Sequence, residues 1–198
     1  ALGVRLCAAG RGGGMSLEVL KAPSKSIHLD EWHEWLHACD YLNQRYVRRT
    51  GICPFSDTEM LFASFLSCAA TLVGGVAFSE LAISKKSSVK PGSLSWGRSD
   101  LYIDFAEKSY SFEIKRSKKM SNQSNLLNRF EAAKNDIRAV PDNEHDFAAA
   151  MMFGHVHIAG KEAQFDEFAQ TKSVEFGYKF YAPECGTSYI FLSINGRA

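Results

Sequence analysis

The feature that most limits what this chain can fold into is a change of hydrophobic period near residue 76. Upstream, apolar residues recur at helical spacing. Leu29, Trp32, Trp35, Leu36, Cys39, Leu42 and Tyr46 form one stripe, and Leu61, Phe62, Phe65, Leu66, Cys68 and Leu72 form another. Downstream, apolar and polar residues alternate. Leu101, Ile103 and Phe105 oppose Asp100, Tyr102 and Asp104, while Tyr110, Phe112 and Ile114 oppose Ser111, Glu113 and Lys115. Successive side chains on a strand point to opposite sides of the sheet. These two segments therefore predict a hairpin with one buried face and a turn over 106–109.

The rest of the chain fills in around that hairpin. Helices are expected over 29–48, with Asp30 at its start, and over 56–72, where Ser56 and Glu59 have capping-box spacing. Gly74 and Gly75 stop the second helix, and a strand over 76–83 leads into a polar loop over 84–97. Ser124 can cap a third helix with Leu126, Leu127, Phe130, Ala133, Ile137 and Val140 on its inner side, ended by Pro141. Further strands are expected over 148–158 and 189–194, with a short helix over 162–171. The order gives an α/β fold, a mixed sheet flanked by helices with an appended N-terminal helix. The Gly-rich start suggests an N-terminal arm over 1–28, leaving 29–198 as one domain with a core of its own.

Composition excludes several classes. No stretch approaches the roughly 20 continuous apolar residues needed to span a bilayer, because Ser64, Ser67, Thr71, Gly74 and Gly75 interrupt the longest one. Five scattered cysteines, with no Cys-x-x-Cys pair, suggest neither a disulfide framework nor a cysteine zinc knuckle. Reduced thiols in a cytoplasmic protein are the expectation. The formal net charge is only +1, but bases outnumber acids between Lys85 and Lys119. A positive field around a few acids suits a phosphate-bearing substrate; lysines guarding a solvated strand edge would look the same.

Those few acids carry the chemistry. Glu113 and Lys115, two apart on a strand, share a face, and pairing of the hairpin would bring Asp100 to the same side. Paired carboxylates suit Mg2+ or Mn2+. Such ions polarise a phosphoryl oxygen and activate water, and an ammonium beside them can neutralise developing charge.

Asp100, a spacer of a dozen residues, and Glu113-Ile114-Lys115 after an apolar strand resemble the PD-(D/E)xK nuclease superfamily. The resemblance covers roughly half the chain, from Ser56 to about Ile158. It implies a restriction endonuclease-like sheet and a nuclease that cuts nucleic acid, with DNA expected over RNA. Asp100 and Glu113 would be metal ligands, with the Ile114 carbonyl as a third, and Lys115 would be the catalytic lysine. Glu59, from the preceding helix, or Glu80 would add an acid. Lys85, Lys86, Arg98, Arg116, Lys118, Lys119 and Arg129 are candidates for contacting the nucleic acid, and a homodimer or larger complex is an expectation by analogy. Ser99 stands where many members have proline. A nuclease-like module that only binds nucleic acid or protein is the alternative.

A competing motif lies earlier. His33-Glu34-Trp35-Leu36-His37 matches His-Glu-x-x-His and resembles zincin metalloproteases, in which two imidazoles one helical turn apart hold zinc and the glutamate acts as base. Fewer than thirty residues precede the usable part of this helix, and no third histidine follows at the extended spacing. The favoured reading of these residues is a solvated flank, with His33, His37, Asp40 and Gln44 lining one stripe beside the Trp32, Leu36 and Cys39 core stripe. His155 and His157 share a strand face without an obvious acid partner.

Overall fold

The computed structural model of the chain describes residues 17–86, 93–117, 122–141, 145–157 and 160–195. Its centre is a seven-stranded mixed sheet. In chain order the elements are β1 (Leu17–Lys21), α1 (Leu29–Thr50), α2 (Glu59–Leu72), β2 (Val76–Lys86), β3 (Leu94–Asp104), β4 (Ser109–Arg116), α3 (Gln123–Ile137), β5 (Phe147–Val156), α4 (Glu162–Ala169), β6 (Phe176–Ala182) and β7 (Gly186–Asn195). The strands lie side by side as β1-β6-β7-β5-β4-β3-β2. Every pairing is antiparallel except β4 with β5. That parallel pair needs a crossover, and α3 supplies it. No helix among the described residues is long and apolar enough to cross a membrane.

Two cores sandwich the sheet. On one side Trp32, Trp35 and Leu36 of α1 and Phe62 and Leu66 of α2 meet Leu101, Ile103, Phe112 and Ile114. On the other, Leu126 and Phe130 of α3 and Phe165 and Phe168 of α4 cover Ala148, Ala150, Met152 and Phe191. Strand β4 is therefore buried on both sides, unlike the half-exposed hairpin that alternation predicts. The alternation is real, but α3 covers the face assigned to solvent. Glu113 ends up inside the protein.

Helix boundaries shift by a few residues for local reasons. The second helix starts at Glu59, because Thr58 is its cap: the Thr58 hydroxyl accepts the Leu61 amide at 3.2 Å. Ser56 instead closes a 3-10 turn over Pro54–Ser56, donating its hydroxyl to the Cys53 carbonyl. Asn122 rather than Ser124 caps α3, its side-chain oxygen accepting the Asn125 amide. Part of the expected arm is sheet: β1 pairs with β6, Leu17 is buried, and the Lys21 ammonium donates to the carbonyls of Thr171 and Val174 at 2.6 Å. Five residues on a sheet edge carry too little periodicity to announce themselves.

Candidate functional site

Strands β3 and β4 begin as an ordinary antiparallel pair and then separate. Their register runs from Asp104↔Ser109 to Leu101↔Phe112 and goes no further. Beyond that point β4 stays paired to β5 as far as Arg116↔Phe153, and β3 stays paired to β2 as far as Leu94↔Lys86. The two strands thus open into a fork.

The fork opens where alternation on β3 breaks. Leu101 and Ile103 enter the core under α1 and α2. Ser99 would share their face on a regular strand, yet its hydroxyl lies 2.7 Å from that of Ser111, which alternates with core residues Tyr110 and Phe112 and faces α3. Strand β2 changes face at the matching place. Ala77 packs with the first core, Leu81 and Ile83 with the second, and Glu80 between them has φ +58°. Asp100 is therefore not on one face with Tyr102 and Asp104, as simple alternation implies. Its side chain turns into the gap between the strands.

Two carboxylates occupy the β3 side of β4 in that gap. Asp100 Oδ2 accepts the Ile114 amide at 2.7 Å, and Glu59 Oε1, from the first turn of α2, accepts the Arg116 amide at 2.8 Å. Ser117, of opposite parity, donates its amide to Phe153 of β5. Amide and carbonyl of one strand residue point to the same lateral side, so the Ile114 carbonyl also faces the fork. Side-chain oxygens have replaced the missing strand, which satisfies amides that would otherwise be stranded.

Glu113 and Lys115 flank the fork on the α3 side. Glu113 Oε1 accepts the Lys85 ammonium at 2.5 Å, and the Glu113 side chain is only 4% exposed. Lys115 is held by Asp136 of α3 at 2.7 Å. Burial pushes the Glu113 carboxyl up to about 7, with the Asp100 charge adding to the rise and Lys85 opposing it. Burial also raises Asp100, against the Ile114 amide and the Lys115 charge, while Glu59 adds to the rise. For Lys115, burial works against the ammonium, but the bond to Asp136 and the charges of Asp136, Asp100 and Glu113 outweigh it and leave its pKa raised. Asp100, Glu113, Lys115, Glu59 and Lys85 therefore form one electrostatic neighbourhood.

Other sequence candidates fall elsewhere. Glu80, at the point on β2 where that strand changes face, pairs with Arg98 on the exposed surface. Lys86 is exposed and Arg129 half-buried, while the Arg116 guanidinium donates to the Ser56 carbonyl. Lys118 and Lys119 lie outside the described residues. His33 and His37 stack with ring centroids 5.4 Å apart, and Glu34 is exposed. Among the described residues no group of three His, Cys, Asp or Glu side chains is gathered to hold a metal, at this helix or at the fork. His155 bonds His157 through Nε2 and Ser188 through Nδ1, with Cys53 Sγ 3.5 Å away. That cluster joins residues more than a hundred positions apart, so no local signal announces it.

Two partnerships escaped the sequence. Asp136 as the anchor of Lys115 left no trace, but Lys85 left one in Gly97. A glycine inside a strand often marks a close approach, and here a Cβ on Gly97 would stand 2.7 Å from Lys85 Cδ. Compared with protein-family models, with curated proteins and with solved structures, the chain finds no match.

Proposed function

We propose that the protein is a divalent-metal-dependent nuclease of the PD-(D/E)xK type, hydrolysing phosphodiester bonds of DNA in preference to RNA, on a restriction endonuclease-like sheet. The observation that carries this reading is the fork: the Asp100 carboxylate on the Ile114 amide, with Glu113 and Lys115 beside it.

The donor set fits Mg2+ or Mn2+. Asp100, Glu113 and the Ile114 carbonyl are all hard oxygens, and Glu59 lies further along the same edge of β4. It is a set of two acids and a carbonyl rather than three acidic side chains. Both carboxyl groups are raised by burial, a condition that a bound cation relieves. When bound, such an ion polarises a phosphoryl oxygen and lowers the pKa of water.

The chain's own residues supply the rest. Asp136 fixes the Lys115 ammonium beside the acids, where it can stabilise negative charge developing on phosphorus-bound oxygen. Because its pKa is raised, Lys115 stays charged and acts as an electrostatic stabiliser rather than a base. Lys86 and Arg129 add positive charge that would draw in a polyanion, while the charge of Arg98 is met by Glu80.

The test is cleavage of plasmid, single-stranded DNA and RNA with and without Mg2+ or Mn2+. The expected result is divalent-dependent cutting that Glu113→Ala abolishes. Unchanged cutting by Glu113→Ala would remove the reading, and divalent-independent binding without turnover would point to a non-catalytic nucleic-acid-binding module.

A further inference from the structure

We infer that Lys85 is an internal cation that competes with the divalent metal for Glu113, so that metal binding must first displace it. The inference rests on the metal site proposed above and assigns Lys85 to its regulation rather than to phosphate contact.

Lys85 reaches Glu113 across an entire strand. Its backbone is on β2, its stem passes over β3, and its ammonium meets Glu113 Oε1 on β4 at 2.5 Å. The crossing depends on Gly97 of β3. A Cβ there would lie 2.7 Å from Lys85 Cδ and 3.0 Å from Lys85 Cγ, so any other residue at position 97 would push the stem aside. The root of the side chain is also fixed: the neighbouring Lys86 amide donates to the Ala139 carbonyl at 2.7 Å. A pinned root, a bare strand beneath and a buried carboxylate at the far end describe a tether rather than a solvated lysine. The Lys85 side chain retains 21% exposure, which leaves it a way out.

The alternative roles fit less well. A lysine dedicated to phosphate would turn toward solvent, as exposed Lys86 does. Lys115 is not the cation on Glu113, because its ammonium is committed to Asp136. Glu113 and Asp136 each carry an ammonium, while Asp100 and Glu59 accept backbone amides. A divalent ion that takes Glu113 Oε1 does so at the expense of Lys85, and two ligands that compete for one group weaken each other's binding reciprocally.

The experiment is a Mn2+ titration of the full chain, read by the loss of the free-ion paramagnetic resonance signal and without nucleic acid. It compares wild type, Lys85→Met and Gly97→Ala, each with and without Asp100→Asn. Lys85→Met removes the competing charge, whereas Gly97→Ala keeps the lysine and dislodges it; should Lys85→Met fail to fold, Gly97→Ala carries the test alone. Both are expected to bind Mn2+ more tightly than wild type by about tenfold, within the usual range for coupled sites, and Asp100→Asn is expected to abolish the gain. A lysine that merely supports the fold would give weaker binding on removal. Equal or weaker binding by the variants, with wild-type binding still lost in Asp100→Asn, would overturn the inference and leave the metal reading standing. No binding by any of these proteins at millimolar Mn2+ would overturn both.

Discussion

The Asp100 carboxylate takes the place of a strand: Oδ2 accepts the Ile114 amide at 2.7 Å at the point where β3 has parted from β4. One oxygen thus closes the ladder while the carboxylate stays beside Glu113. Structure and charge are tied together in the same side chain, and substitutions at this position separate them.

Asp100→Asn keeps an oxygen that can accept the amide, so its thermal midpoint should stay within a few degrees of wild type. Its cleavage rate should fall by about 10²–10³, the loss typical when one preorganised electrostatic group is removed. Asp100→Ala strands the Ile114 amide and should cost about 1–3 kcal/mol of stability in addition. Urea denaturation beside a plasmid assay checks both. An Asn variant as active as wild type would contradict the role given to the charge.

Glu113 makes stability depend on pH in a defined direction. Its carboxyl titrates near 7 in the folded protein against the ordinary value near 4.3 in an unfolded chain. Below the unfolded value both states hold the proton and the contribution is fully present. As pH rises the unfolded state ionises first, so the contribution falls and is lost above about 7. Its size is on the order of 3 kcal/mol. Unfolding free energies at pH 5 and pH 8, for wild type and Glu113→Gln, should show wild type losing more on the way up. The Mn2+ affinity of wild type should rise over the same interval, because the ligand must give up its proton.

Lys115 and Asp136 should respond unequally. Asp136 is 48% exposed, and such half-exposed pairs contribute only about 0–1 kcal/mol. Asp136→Asn should therefore unfold almost with wild type and reduce cleavage by no more than about tenfold, since the lysine remains. Lys115→Met should lose about 10²–10³ in rate. Single-turnover cleavage rates for the two variants check the ranking.

Gly154 holds the end of β4 against α4. A Cβ there would fall 2.4 Å from Ser117 Oγ and 2.5 Å from Phe165 Cε1, and both residues are buried. Gly154→Ala should cost about 1–3 kcal/mol through overpacking. Because Ser117 directly follows the strand that carries Lys115 and Arg116, cleavage should drop as well. Urea midpoints and plasmid assays measure the two effects.

The elements themselves were largely legible. Helical spacing marked α1 because Trp32, Trp35 and Leu36 must all reach the same core. Alternation marked β4 because Tyr110, Phe112 and Ile114 do the same. The strands that escaped were β1, too short to show a period, and β6, Phe176–Ala182, although Phe176, Tyr178 and Phe180 on its buried face alternate with Gly177, Lys179 and Tyr181. The break in alternation at Asp100 was invisible for a different reason. The residues still alternate in type, and only the backbone shows that Ser99 and Leu101 face opposite ways.

What the sequence by itself determined is the set of candidate charged groups and the strands that carry them: Asp100 on one, Glu113 and Lys115 on the next. Periodicity is local, and burying apolar side chains enforces it wherever the chain folds. Tertiary structure alone decided which charge meets which. Lys85 rather than Lys115 sits on Glu113, Asp136 takes Lys115, and Glu59 arrives from α2 to cap Arg116. Those pairings depend on the register of three strands and the seating of two helices, and no spacing along the chain encodes them.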